Sequence, residues 1–279
     1  MATIISLYNS SKKRILYQQD VIMIELEPIA DKENIRFCLC CKINDTPCKL
    51  LFDTGSERSR ISETKASHIC SIKHCWCYGC AKRYVAGQML MQNILIPRVK
   101  LYLDDETFNS NKLKEQKATS GLDGLLGIDI IQFLPFVIDY RFKEQPRAFL
   151  YPQIDTSKLS LLNIQYVHNR PCIVGAIPNY PDPILLDTGA NHSFLDRVIP
   201  NTKIKTNPIL VGTATSNNDI SDNQIENIKA RLTKNIETLI SPFIMQGDAV
   251  FGTDAFQGLC LVHMNGYFYI TDDKTIKFY

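Results

Sequence analysis

A chain of 279 residues, 45% hydrophobic and 22% charged, is long enough for one large domain or two modest ones and has ordinary globular composition. Its formal net charge of +2 gives no electrostatic case for binding nucleic acid or a membrane surface, and no apolar run reaches transmembrane length. Ten cysteines would suit a secreted protein, but eight lie between Cys38 and Cys80, and Lys12, Lys13 and Arg14 follow the first apolar residues rather than precede them as in a signal peptide, so reduced thiols in a cytosol-like compartment are expected.

In chain order, residues 21–26 have the composition of a strand, and the basic stretch before them that of a solvated face. Residues 37–43 read as a strand, 44–47 as a turn and 48–52 as the returning strand. That strand ends in Asp53-Thr54-Gly55. A short apolar strand there delivers a carboxylate to a tight turn, which Gly permits and a Thr hydroxyl can hold. Cys38, Cys40, Cys41 and Cys48 fit strand positions and read as small apolar side chains. Residues 70–80, CSIKHCWCYGC, form a cysteine-rich segment, and 84–89 around Gly87 read as a hairpin tip. Residues 94–103, with Val99, Leu101 and Leu103 alternating, suit a half-buried strand, and the Lys-rich 104–120 an exposed loop. Leu125-Leu126-Gly127 follows, with Asp129 as the cap of a short helix over 130–134 that Pro135 stops. Strands over 136–140 and 148–151 close this half.

Residues 152–162 have no strong pattern and mark the expected boundary between an N-terminal unit, 1–152, and a C-terminal unit, 163–279. The order then repeats. A strand over 172–177 and a turn over 178–183 lead through Ile184-Leu185-Leu186 into Asp187-Thr188-Gly189. Val211-Gly212-Thr213 is the matching hairpin tip, 228–232 a strand, and Val250-Phe251-Gly252 precedes Asp254, a short helix and closing strands. One Asp-Thr-Gly arises by chance in roughly one such chain in twenty, so two copies, each ending an apolar strand, form a repeat rather than a coincidence. Gly87 lies 34 positions after Asp53 and Gly212 lies 25 after Asp187; Gly127 and Gly252 lie 74 and 65 positions on. One nine-residue insertion near the cysteine-rich segment would account for both differences.

LLFDTGS with LLGID, and ILLDTGA with VFGTD, resemble the aspartic proteases, and within them the retropepsin-like branch, over about residues 37–279. The resemblance implies an all-β, bilobal acid-protease fold with β-barrel lobes in pseudo-twofold arrangement. It implies that Asp53 and Asp187 are the catalytic pair and that Thr54 and Thr188 lock the two loops together. Gly55, Ser56, Gly189 and Ala190 complete the turns, and Gly87, Val211, Gly212 and Thr213 are flap candidates, although no pepsin-style Tyr-Gly-Thr-Gly stands in the first half. Retropepsins usually supply one aspartate per subunit; this chain carries both, so the implied active unit is a monomer. The implied partner is a polypeptide, with no cofactor, metal, nucleic acid or membrane. The implied setting is the cytoplasm or a virion, with viral or retroelement polyprotein maturation as the role. The other reading is a non-catalytic retropepsin-like module kept for binding or assembly.

Three further expectations concern single residues. Ser56 follows the first turn where Ala190 follows the second, and a hydroxyl beside a carboxylate favours ionisation, so Asp53 is expected to be the more often ionised partner. In the cysteine-rich segment only Cys77-x-x-Cys80 has a common zinc-ligand spacing, and an exposed reduced-thiol insertion is expected, zinc binding and a disulfide being the alternatives. His192 reads as a solvent-facing turn residue rather than a relay for Ser193, and Trp76 as lying outside the core.

Overall fold

The computed structural model describes residues 3–4, 23–30, 35–77, 80–103, 121–211 and 219–278. Strands make up 49% of it and helices 8%, so the all-β class holds. Among the described residues no helix is long and apolar enough to cross a membrane.

After the short β1 (Thr3–Ile4) and β2 (Ile24–Ala30), the chain forms a hairpin of β3 (Ile35–Ile43) and β4 (Thr46–Phe52). Asn44 and Asp45, with φ of 45° and 67°, make the two-residue left-handed turn that matches strand twist. Along β3, Leu39, Cys41 and Ile43 are buried while Cys40 and Lys42 are exposed, the period-two pattern of a strand with one face on the core. Cys38, Cys41 and Cys48 are therefore core side chains, and Cys40 is not: its place on the pleat turns it to solvent.

β5 (Arg60–Ile61) and helix α1 (Glu63–Ile69), capped by the Ser62 hydroxyl, lead to β6 (Lys73–Cys77) and the long β7 (Cys80–Met91). β7 then pairs with β8 (Ile94–Leu103). Residues 84–89 are thus not a hairpin tip. Gly87 sits inside β7 opposite Val99, at a register shift, and a Cβ there would come within 2.6 Å of the Asn44 side chain. Close approach across the sheet, not a turn, accounts for this glycine. The cysteine-rich segment is itself the β6–β7 hairpin, paired as far as Cys77↔Cys80, and Cys70 and Ile72 at its root pack against the core rather than standing clear of it. The expected loop 104–120 lies outside the described residues.

β9 (Gly124–Leu126), α2 (Ile128–Ile131), β10 (Phe136–Asp139) and β11 (Arg147–Leu150) complete the first half. The second half runs through β12 (Ser160–Leu161), β13 (Ile164–Val167), β14 (Arg170–Ile173), β15 (Ile184–Leu186), β16 (Phe194–Leu195), β17 (Ile204–Val211) and β18 (Asp219–Ile225). It continues with β19 (Ile228–Arg231), β20 (Glu237–Ile240), β21 (Phe243–Ile244), β22 (Val250–Phe251), β23 (Cys260–Met264) and β24 (Tyr267–Thr271). Within residues 152–162, Ser160 and Leu161 pair with Ile270 and Tyr269.

The two halves repeat one set of pairings. Cys38 faces Leu51 and Cys172 faces Leu185, each second-half residue standing 134 positions after its counterpart. β4 runs parallel to β9 with Phe52 beside Leu126, and β15 runs parallel to β22 with Leu186 beside Phe251. The β6–β7 hairpin corresponds to β17–β18: Cys77 and Val211, the last paired residues of the outgoing strands, each stand 24 positions after their aspartate. The first half's extra residues therefore lie after this hairpin, between Cys80 and Gly124, and not before it.

Both halves contribute to one sheet in the order β12-β24-β23-β10-β11-β2, which continues through β3 and β4. Val137, Val262 and Cys260 are fully buried where β10 meets β23. Phe136, His263 and Phe268 cluster on the opposite face in tilted and edge-on contacts, with ring centroids 4.7 to 6.1 Å apart. Arg141, paired with Asp139 at 2.8 Å and bonded to the carbonyls of Asp273 and Ile276, ties the end of the chain to this sheet.

Candidate active site

Each Asp-Thr-Gly turn is set by the strand before it and the strand beside it. Leu50, Leu51 and Phe52 are buried, as are Ile184, Leu185 and Leu186. Asp53 N–H donates to the Leu126 carbonyl and Asp187 N–H to that of Phe251, both at 3.0 Å, so the parallel neighbour fixes where each aspartate leaves its strand. The turn then closes on its own carboxylate. Asp53 Oδ1 accepts from the N–H of Gly55 at 2.9 Å and of Ser56 at 3.0 Å; Asp187 Oδ1 accepts from Gly189 at 2.8 Å and Ala190 at 3.1 Å.

The two turns face each other. Thr54 Oγ1 donates to the Leu186 carbonyl at 2.7 Å and accepts from Thr188 N–H at 3.1 Å. Thr188 Oγ1 does the same with the Phe52 carbonyl, 2.9 Å, and Thr54 N–H, 3.1 Å. A Cβ at Gly55 would lie 2.3 Å from Asp187 Cγ, and one at Gly189 would lie 2.5 Å from Asp53 Cγ. Each carboxylate therefore rests over the other turn's glycine, and any side chain there would displace it.

Both aspartates are half-buried as residues, which leaves the pair open to water on one side. Burial among protein groups holds both above the ordinary carboxylate range. Asp53 is pushed well up, by burial first and then by the charge of Asp187 and the hydrogen bond between the two carboxyls. Asp187 is raised by burial but opposed by the Asp53 hydrogen bond, by its two amide donors and by the positive charge of Arg36. The expected preference for an ionised Asp53 rested on the Ser56 hydroxyl, which does not reach that carboxylate. The Ser56 hydroxyl donates to the Arg58 carbonyl at 3.0 Å and not to the carboxylate.

Behind the turns stands a second tier of residues whose role the sequence alone does not announce. Ser59 and Ser193, each six positions after its aspartate, are fully buried. Ser59 gives both its N–H, 2.9 Å, and its hydroxyl, 2.7 Å, to Asp129 Oδ1. Ser193 gives N–H and hydroxyl to the two oxygens of Asp254, at 3.0 and 2.7 Å. The same hydroxyls accept from Gly127 and Gly252 N–H, at 3.0 and 3.2 Å. Asp129 is therefore not the cap of a helix over 130–134; α2 begins at Ile128 with Gly127 in the cap position, and the Asp129 side chain anchors the loop that follows the first turn. The matched spacing in both halves was the available signal. Arg36, 9% exposed, also went unread; its Nη1 donates to the Gly189 carbonyl at 3.2 Å.

Of the flap candidates, Gly87 lies within β7, Val211 is the last paired residue of β17, and Gly212 and Thr213 lie outside the described residues. His192 is half-buried with its ring edge-on to Phe243, centroids 5.4 Å apart, rather than solvent-facing. Trp76, 75% exposed on β6, lies outside the core as expected.

Comparison with known protein families and with curated proteins finds no match for this chain.

Burial pushes the Asp129 carboxyl up to about 6, despite the Ser59 bonds that favour its charge. Its proton affinity is higher folded than unfolded, so its contribution to stability is full below about pH 4 and is lost as pH rises through about 6. His263, held below its ordinary range by burial, acts in the opposite sense, so the Asp129 contribution is best isolated by difference. Relative to the native chain, Asp129→Asn should gain about 2 to 3 kcal/mol of unfolding free energy between pH 4 and pH 7. Urea unfolding at both values measures this, and a difference between the two chains that does not change with pH would refute it.

Proposed function

We propose that the chain is an aspartic endopeptidase with a bilobal acid-protease fold, in which each half supplies one turn of the site. The observation that carries this reading is the facing pair of Asp-Thr-Gly turns, each carboxylate fixed by two amides and the pair burdened by burial and by like charge. Such a pair holds one proton between two carboxyls, the arrangement for which aspartic proteases are the standing example. The ionised carboxylate takes a proton from a water on the open side of the pair, and the water oxygen attacks the peptide carbonyl carbon. The protonated carboxyl gives its proton to the carbonyl oxygen, forming a tetrahedral gem-diol. The carboxyl that took the water proton then gives it to the amide nitrogen while the other carboxylate takes a proton from a gem-diol hydroxyl; the C–N bond breaks to leave an acid and an amine, and the pair returns to its starting state.

Substrate enters as an extended segment between the turns and the β6–β7 and β17–β18 hairpins, where strand addition binds main chain and alternate side chains meet pockets. Both turns come from one chain, so the active unit is a monomer, and a polyprotein of viral or retroelement type is a fitting substrate class. The test is incubation with a mixed peptide library from pH 3 to 8, with fragments read by mass spectrometry, with and without a statine-type inhibitor. Endoproteolysis blocked by the inhibitor, with specific activity constant on dilution, is expected. A folded chain that cleaves nothing across this range would favour the non-catalytic module instead.

A further inference from the structure

The two turns close on their carboxylates with the same bonds, and one difference between the halves reaches a turn peptide directly. Arg36 on β3 and Arg170 on β14 occupy equivalent places, each 17 positions before its aspartate and two before the equivalent residues Cys38 and Cys172. Their side chains go to different places. Arg170 bonds to Asp248 of its own half at 2.7 Å. Arg36 crosses to the other half and donates to the Gly189 carbonyl. That carbonyl belongs to the same peptide group as the Ala190 N–H, which donates to Asp187 Oδ1 at 3.1 Å. A buried guanidinium, a peptide and a carboxylate therefore form one hydrogen-bonded chain, in which each bond polarises the next. On the other turn, the Gly55–Ser56 peptide donates to Asp53 in the same way but receives nothing from Arg170.

We propose that Arg36 is the positioning residue that makes the two aspartates unequal: acting through the Gly189–Ala190 peptide, it draws the negative charge to Asp187, so that Asp187 accepts the proton from water and Asp53 donates to the substrate oxygen. This rests on the proposed protease reading and adds the division of labour within the pair. Of the other ionisable groups nearby, Asp129 and Asp254 stand behind the two turns, bonded to Ser59 and Ser193, with Arg58 acting on the first and His192 on the second, whereas Arg36 acts on Asp187 itself. Tyr140, fully buried, feels Arg36 itself.

The test has two readouts. The first is carbon-13 NMR of the aspartate carboxyls in the native chain, assigned with Asp53→Asn and Asp187→Asn. The carboxyl that ionises at lower pH should be Asp187. The second is the pH dependence of peptide cleavage. Arg36→Gln keeps a donor but removes the charge, and the acid limb of kcat should move up by about one pH unit, while the alkaline limb moves less. Arg36→Lys should restore most of the shift, and Arg170→Gln should leave the limb in place. A merely structural arginine would lower stability and rate without moving the limb, and that result would overturn the inference, as would Asp53 ionising first in the native chain. If no peptide is cleaved, the protease reading fails by itself, and the carboxyl titration repeated on Arg36→Gln still decides: the lower of the two titrations should move up by about one pH unit, and an unmoved titration would overturn the inference.

Discussion

Replacing either Asp53 or Asp187 with Asn is expected to lower peptide turnover by about 10³-fold or more while leaving the chain folded. The proposed mechanism needs one group that accepts a proton and one that donates it, and an amide does neither near neutral pH. The fold should survive because the turn uses each carboxylate as an acceptor. Oδ1 of Asp53 takes the N–H groups of Gly55 and Ser56, Oδ1 of Asp187 those of Gly189 and Ala190, and an Asn carbonyl can take the same donors. Burial raises both carboxyls, so the ionised pair costs stability at neutral pH, and the Asn variants should unfold at the same temperature or slightly higher. Cleavage rates and thermal unfolding at pH 7 measure the two effects on the same samples. A folded Asn variant retaining substantial activity would rule out the two-carboxylate mechanism.

The parts of this structure that could be read from the sequence are those in which local chemistry and tertiary packing agree. The β3–β4 hairpin is legible because alternation marks its strands and Asn44-Asp45 tolerates the left-handed turn. The Asp-Thr-Gly turns are legible because each apolar triplet before them is buried against a parallel neighbour. Gly87 is hard to read because a lone glycine in a short stretch looks the same whether it serves a turn or a close crossing of strands, and only the proximity of Asn44 separates the two. Asp129 was misread because an acid before a helix has an obvious local use, and a buried serine 70 positions away outcompetes it. Ser59 and Ser193 carry no signal singly; their equal spacing from Asp53 and Asp187 becomes informative only when the halves are aligned on their aspartates. Arg36 and Arg170 share a spacing too, but which of them crosses between halves depends on packing that no local pattern encodes.

Thr54→Val is expected to destabilise the protein by about 2 to 6 kcal/mol and to lower activity with it. Valine keeps the shape and removes the hydroxyl, leaving the Leu186 carbonyl and the Thr188 N–H without the bonds they have at 2.7 and 3.1 Å. Thr54 is fully buried and Thr188 is 2% exposed, so water cannot readily replace the lost partner, and each stranded group costs about 1 to 3 kcal/mol. Thr188→Val strands the Phe52 carbonyl and the Thr54 N–H by the same logic and should cost a similar amount. The two variants break separate bonds, so their costs would add if the turns stayed in place. The turns are held face to face by these same four bonds, however, and the first loss should loosen the second pair, making the double variant less costly than the sum. Thr54→Ser retains both hydroxyl bonds and gives up one methyl group, about 0.8 kcal/mol, so it separates the hydrogen bonds from packing. Because the hydroxyls also hold each carboxylate over the opposite glycine, activity and stability should fall together in the valine variants, whereas the Asn variants of the dyad separate them. Urea unfolding of the four variants measures the stability change, and a Thr54→Val protein within about 0.5 kcal/mol of the native chain would show that the paired threonines do not hold the turns together.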